Sequence, residues 1–144
     1  MNVAEIIRRK GNKVITIRPD ETVQVLLERL AEHGFGALVV SSDGSSVEGI
    51  VSERDVVRHM ASDGAAVLEQ PASSIMTAAV KTCVATDTVE ALMDKMTEHR
   101  IRHLPVEIDG ALAGMISIGD VVKCRVSELE DDKGHLENYI KQSW

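Results

Sequence analysis

Gly114–Met115–Ile116–Ser117–Ile118–Gly119–Asp120 has a twin upstream, Gly49–Ile50–Val51–Ser52–Glu53–Arg54–Asp55. Each reads as a short apolar strand, a tight turn and a helix start, with a hydroxyl three residues before a carboxylate. Working outward, Asp43–Gly44 and Asp109–Gly110 are turn signals ahead of the two strands. Before them lie the apolar runs Ala37–Val40 and Leu104–Val106. Further upstream, Val23, Leu26, Leu27 and Leu30 match Val89, Leu92, Met93 and Met96 as one buried face of a helix. Thr22 and Thr88 open these helices, and the first should close at His33–Gly34, where glycine suits a left-handed cap. Val14–Ile17 and Val80–Val84 are extended segments rich in β-branched residues. The copies keep register throughout, except that the second lacks one residue after its Asp-Gly turn.

The chain is therefore two copies of one unit, and the expected class is α+β. One copy of a few strands leaves a sheet face and its edges open, so two copies should pack across a pseudo-twofold axis. The expected division is repeat 1 with an N-terminal arm (1–61), a linker (62–76) with a short helix at Ala65–Glu69, repeat 2 (77–126) and a C-terminal tail (127–144). The arm, with Arg8–Arg9–Lys10, reads as a solvated charge run. In the tail, Leu136, Tyr139 and Ile140 share one helical face, while Gly134 should interrupt the pattern; a short amphipathic helix is expected, packed on the body or on a partner subunit.

Composition removes several function classes. The 144 residues are 44% hydrophobic, enough for a core. A net charge of −7 repels nucleic acid, and the aromatics Phe35, Tyr139 and Trp144 make no stacking platform. No apolar run approaches the ~18 residues that span a bilayer. The first residues carry no secretory pattern. Cys83 and Cys124 fit no CxxC metal spacing and read as reduced, buried or semi-buried thiols of a cytoplasmic protein. A phosphate-binding loop, a nucleophile–base pair and a metal cluster are all lacking as motifs, so no enzyme is expected.

Ser52-x-x-Asp55 and Ser117-x-x-Asp120 have two readings. The spacing alone favours a capping box, in which serine and acid each bond the other's backbone. The other reading is a carboxylate that accepts hydrogen bonds from ribose hydroxyls, as acids after strands do in dinucleotide folds. His33 and His99 offset helix dipoles. Arg102 and His103 lie beyond a helix end, where the chain turns toward a cleft, and an arginine fork suits phosphate. The first copy has Gly36–Ala37 there. Arg54 faces Gly119 in the alignment; a second phosphate contact and a solvated arginine are equally good accounts of it. His99 and His103 have H-x-x-x-H spacing, but His103 opens a strand, which rules against zinc.

The stretches PDETVQVLLERLAEHGFGALVV…GIVSERDVV and TDTVEALMDKMTEHRIRHLPV…GMISIGDVV resemble the cystathionine-β-synthase (CBS) domain, and the tandem resembles a Bateman module. The resemblance covers about residues 10–126. It implies a β-α-β-β-α fold per copy, clefts that bind adenosine-containing ligands, and dimerisation into a flat disc. It turns the preference at Asp120 and Asp55, with Ser117 and Ser52, toward ribose. It implies that Arg102 and His103 contact phosphate, and that Gly11–Val14 and Thr77–Val80 line the adenine. The function this implies is a regulatory module that binds an adenine nucleotide, AMP first and ATP or NAD(H) next, senses energy or redox state, and acts on a protein partner in trans. The alternative is a ligand-independent dimeric scaffold. Of the two clefts, the one containing Asp120 is expected to bind more tightly.

Overall fold

A computed structural model describes residues 1–11 and 13–143; Asn12 and Trp144 lie outside the described residues. The chain runs α1 (Val3–Lys10), β1 (Thr16–Ile17), α2 (Val23–His33), β2 (Ala37–Val40), β3 (Gly49–Ser52), α3 (Glu53–Asp63), β4 (Cys83–Val84), α4 (Val89–His99), β5 (His103–Ile108), β6 (Ala111–Ser117) and α5 (Ile118–Ser143). Between α3 and β4 lie two 3-10 segments, Gly64–Glu69 and Ala72–Ser74. The first takes the place of the expected linker helix.

Two three-stranded sheets result, β1-β2-β3 and β4-β5-β6. In each the first pair is parallel and the second antiparallel. The α+β repeat fold is the one expected, with strands β1 and β4 shorter than the extended runs Val14–Ile17 and Val80–Val84 that contain them. The helices form where the apolar stripe predicts, although Met93, expected on the buried face of α4, is exposed. Thr22 and Thr88 cap α2 and α4, accepting from the N–H groups of Val25 and Ala91 at 3.3 and 3.1 Å. Gly34 ends α2 with φ 67°; Arg100 ends α4 in the same left-handed region with φ 53°, a conformation that disfavours a side chain.

Each sheet carries its own core, and each core is completed by a segment from elsewhere. Val23, Leu26, Leu38 and Val51 pack with Val67, Ala72 and Ile75. Val89, Leu92, Leu104 and Ile116 pack with Val3 and Ile6. The segments leading into the two repeats are thus exchanged. Asn2 bridges Thr88 in the second repeat, and Pro71 bridges Thr22 in the first. A Cβ on Gly114 would strike Ile7, and one on Gly49 would strike Met76, so both glycines are there to admit the exchanged segment. The N-terminal arm is therefore a packed helix, not a solvated one. Its Asn2 forms a full capping box with Glu5, and its apolar face covers the second core.

The tail also differs from expectation. Gly134 interrupts nothing: α5 is continuous from Ile118 to Ser143. Cys83 and Cys124 are free and buried, as expected, and burial pushes the Cys83 thiol up to about 12. Among the described residues no helix is long and apolar enough to cross a membrane.

Truncating a core side chain costs about 2–5 kcal/mol, whereas a solvated arm tolerates substitution within about 0.5 kcal/mol. Ile6→Ala is expected to fall in the first range, as is Ile75→Ala, when unfolding by urea is followed by circular dichroism.

Candidate functional site

The paired turns have the same internal geometry. Ser52 N–H and Oγ–H donate to Asp55 Oδ2 at 2.8 and 3.0 Å, and Asp55 N–H returns to Ser52 Oγ at 3.3 Å. Ser117 and Asp120 repeat this at 2.9, 3.0 and 3.2 Å. Both are capping boxes, which is the reading that spacing alone favours. Each box uses only Oδ2, so Oδ1 of either aspartate has no hydrogen-bond partner among the described residues.

The surroundings of the two turns differ. Lys10 Nζ donates to Asp120 Oδ2 at 2.7 Å and to the Met115 carbonyl at 2.8 Å. At the matching place in the first repeat, Thr77 and Ile50 exchange backbone hydrogen bonds of 2.9 Å. The first leading segment stays helical to Lys10 and sends a side chain where the second sends its main chain. No cation pairs with Asp55 among the described residues.

Beside the Asp120 turn opens a cavity of about 270 Å³. Lys10, Gly11, Lys13 and Val14 form one wall, the α2–β2 turn from Gly34 to Ala37 another, and His103, Met115 and Ser117 the third. It lies at the junction of the repeats. His103 pairs with Ser117 across β5 and β6, and a Cβ on Gly36 would come within 3.3 Å of the imidazole. Glycine at 36 thus leaves the histidine room.

The structure brings together Gly11, Val14, His103 and Ser117, with Asp120 held at the edge by Lys10. It does not bring Arg102 to them. Adjacent residues entering a strand point to opposite sides. Arg102 lines a second, larger groove of about 450 Å³ with Arg54, Arg100 and Arg125, floored by Met93, Met96 and residues of α5. Arg54, in the first turn of α3, lines this groove, and Asp55 beside it does not. Thr77 is tied to Ile50, and the Val80 N–H donates to the Ala78 carbonyl at 3.0 Å; neither lines these two cavities. Asn12, within the expected Gly11–Val14 wall, lies outside the described residues. Sequence reasoning missed Lys10, and took in Lys13 only as part of the adenine-lining Gly11–Val14 segment. The available signal was the length of the first leading segment, which exceeds that of the second between the buried isoleucines (Ile6, Ile75) and the matched valines (Val14, Val80).

A family model described as CBS domain matches residues 3–62 and 72–127. A mitochondrial CBS domain-containing protein of Arabidopsis thaliana is 33% identical over 147 residues, spanning 96% of this chain and 71% of that protein. The crystal structure of a CBS-domain containing protein from Agrobacterium tumefaciens is 46% identical, with a TM-score of 0.84 over 87% of this chain and 99% of that one. At 20% identity the likeness is one of fold: a CBS domain pair solved in complex with 5′-methylthioadenosine and S-adenosyl-L-methionine has a TM-score of 0.78 over 89% of this chain and 98% of that one.

The charges around the cavity set its protonation. Burial pushes the Asp120 carboxyl up, but the Lys10 ammonium and the Ser117 N–H outweigh it and hold the group below its ordinary value. Burial pushes the His103 imidazole below its ordinary 6.5; Lys10 and Arg102 add to this, while Glu53 and Asp120 oppose it. With the folded value below the unfolded one, the stability linked to His103 is complete above pH ~6.5 and is lost as pH falls toward the folded value. By NMR, the His103 ring is expected to titrate with a midpoint below 6.5. Lys10→Met should raise that midpoint, and His103→Gln should flatten the fall in stability below pH ~6.5.

Proposed function

The chain belongs to the CBS domain family, and we propose that this tandem pair is a regulatory module that binds one adenine nucleotide in the cleft beside Asp120. The observation that carries this reading is the cavity that Lys10, Lys13 and His103 line, with Lys10 bonded to Asp120 at its edge and one carboxylate oxygen of Asp120 left unused. A carboxylate oxygen without a donor suits the two hydroxyls of a ribose. Two lysines in a chain of net charge −7 form a local basic site suited to phosphate. His103, neutral near pH 7, adds a donor without adding charge. Gly11 and Val14 offer backbone and apolar surface to the base. The fold is shared with a CBS pair that holds two adenosine-containing molecules, which supports the same chemical class here.

Cavity size ranks the ligands. About 270 Å³ sits near the lower end of the ~300–1,000 Å³ typical of small-molecule sites, which favours AMP over ATP and over the dinucleotide NAD(H). A module of this kind reports energy or redox state to a protein partner in trans and does no chemistry itself. The second reading, a dimeric scaffold that needs no ligand, draws on the apolar floor of the larger groove.

Calorimetry of the purified protein against AMP, ATP, NAD, NADH and S-adenosylmethionine separates the two. AMP is expected to bind most tightly. Hydrogen bonds to a charged group contribute about 1.5–3 kcal/mol, or about 10–100-fold in affinity. Asp120→Asn, which can keep the helix cap, should lose that much; Asp55→Asn should change affinity by less than about threefold. Lys10→Met should weaken AMP but not adenosine. A folded protein that binds none of the five refutes the nucleotide reading and leaves the scaffold.

A further inference from the structure

The turns that follow α2 and α4 share one backbone frame and differ in what they do with one side chain. After α2, the Gly34 and Phe35 N–H groups both donate to the Leu30 carbonyl, and the Gly36 carbonyl accepts from the Glu53 N–H at 3.0 Å. After α4, the Ile101 N–H donates to the Met96 carbonyl at 3.0 Å, and the Arg102 carbonyl accepts from the Ile118 N–H at 2.8 Å. Phe35 and Ile101 are thus equivalent, each the second residue past its helix. An apolar residue at that point ordinarily packs back on the helix it follows. Ile101 is half-buried against the second core, the one that contains Met96 of α4. Phe35 instead is 38% exposed, and its ring lies against His33, with centroids 5.7 Å apart and planes 20° from parallel. It also lines the 270 Å³ cavity beside the Asp120 turn.

Phe35 is the one phenylalanine in the chain. An exposed ring adds little to a core that Leu30, Leu26 and Ile75 already close. To a ligand in the cavity it offers more. His33 covers one face of the ring and braces it from the helix end, while the backbone bonds on either side hold the turn. The wall formed by the leading segment is apolar at Val14 and Ile15, and the third wall carries His103 and Ser117 beside the Lys10–Asp120 pair. A flat heterocycle fits between the first two walls with its sugar and phosphate on the third. An aromatic ring attracts the face of a base by offset stacking, which an aliphatic wall does not supply.

We propose that Phe35 is the stacking platform for the base of the bound nucleotide. The base lies on the face of the ring turned away from His33, with Val14 on its other side. This placement rests on the nucleotide reading of the cleft and adds to it the group that holds the base. Its ring comes from the first repeat, whereas Asp120, Ser117 and His103 belong to the second. A nucleotide bound in this way touches both repeats, and a ribose phosphate without a base touches Phe35 not at all. The equivalent Ile101, turned to its own core, offers no such platform.

Calorimetry and NMR of the full chain with AMP test the platform. Phe35→Leu keeps an apolar side chain and loses the ring; it should weaken AMP roughly 10–100-fold. Phe35→Tyr keeps the ring and should stay within about threefold of the parent. Phe35 is exposed, so Phe35→Leu should leave the midpoint of urea unfolding unchanged. The Phe35 ring signals, which no other phenylalanine overlaps, should move upfield as AMP is added, and the adenine H2 and H8 signals with them. If the parent binds AMP and Phe35→Leu binds it equally well, the platform is overturned and the nucleotide reading stands. The same holds if Phe35→Tyr loses as much affinity as Phe35→Leu, or if the ring signals stay in place when AMP binds. A folded parent that does not bind AMP overturns the platform together with the AMP reading.

Discussion

Neither repeat can close its own core, and the exchange of leading segments follows from that. Three short strands and two helices leave an apolar gap over each sheet. Val3 and Ile6 fill it in the second repeat, Ala72 and Ile75 in the first. The fit is tight enough that the strand beneath must carry glycine, Gly114 under Ile7 and Gly49 under Met76. Because each filler belongs to the other repeat in sequence, the chain must cross the junction twice. Those crossings build the cleft walls. The candidate cleft is a by-product of core closure: Lys10, Gly11, Lys13 and Val14 lie where they do because Ile6 must be buried several residues earlier.

The same constraint explains why two similar repeats present unlike sites. The second crossing straightens after Met76 and pairs with Ile50 through its main chain. The first remains helical to Lys10 and turns at Gly11, whose φ of 93° favours glycine. The main-chain bond is lost there, and a lysine takes over the carbonyl of Met115, the counterpart of Ile50. A charge is thereby placed against Asp120 that Asp55 does not have. His103, facing the open Gly36, adds to the difference. Asymmetry in the ligand region thus begins as a change in how one crossing satisfies a backbone carbonyl.

The sequence made the frame legible because packing positions recur. Val23 and Val89, Leu26 and Leu92, and the two Ser-x-x-Asp turns repeat in step, and all fall where the periodicity places them. The exchange was illegible because the leading segments share one identical buried residue, Ile6 with Ile75, and are displaced by the longer first crossing. Arg102 and His103 read as a pair because they are neighbours in sequence; the strand they enter sends neighbours to opposite faces, so one lines the small cleft and the other the large groove. Gly134 read as a break because glycine weakens an isolated helix by about 1 kcal/mol, a penalty that does not stop a helix already nucleated over the sixteen residues from Ile118 to Lys133.

The Lys10–Asp120 pair connects the two halves of this account. Its side chains are 33% and 18% exposed, and a partly exposed ion pair stabilises a protein by only about 0–1 kcal/mol. Fold stability alone gives little reason to hold a lysine there, since the capping box already satisfies the backbone and Ile6 already anchors α1. In the proposed function the weakness is useful. A nucleotide brings hydroxyls to the aspartate and a phosphate to the lysine, so both charges keep partners while their contact with each other is given up. The energy lost is small, and the lysine involved is the last residue of α1, the helix that closes the core of the second repeat. In that reading the nucleotide meets, through one side chain, the segment that holds the two repeats together.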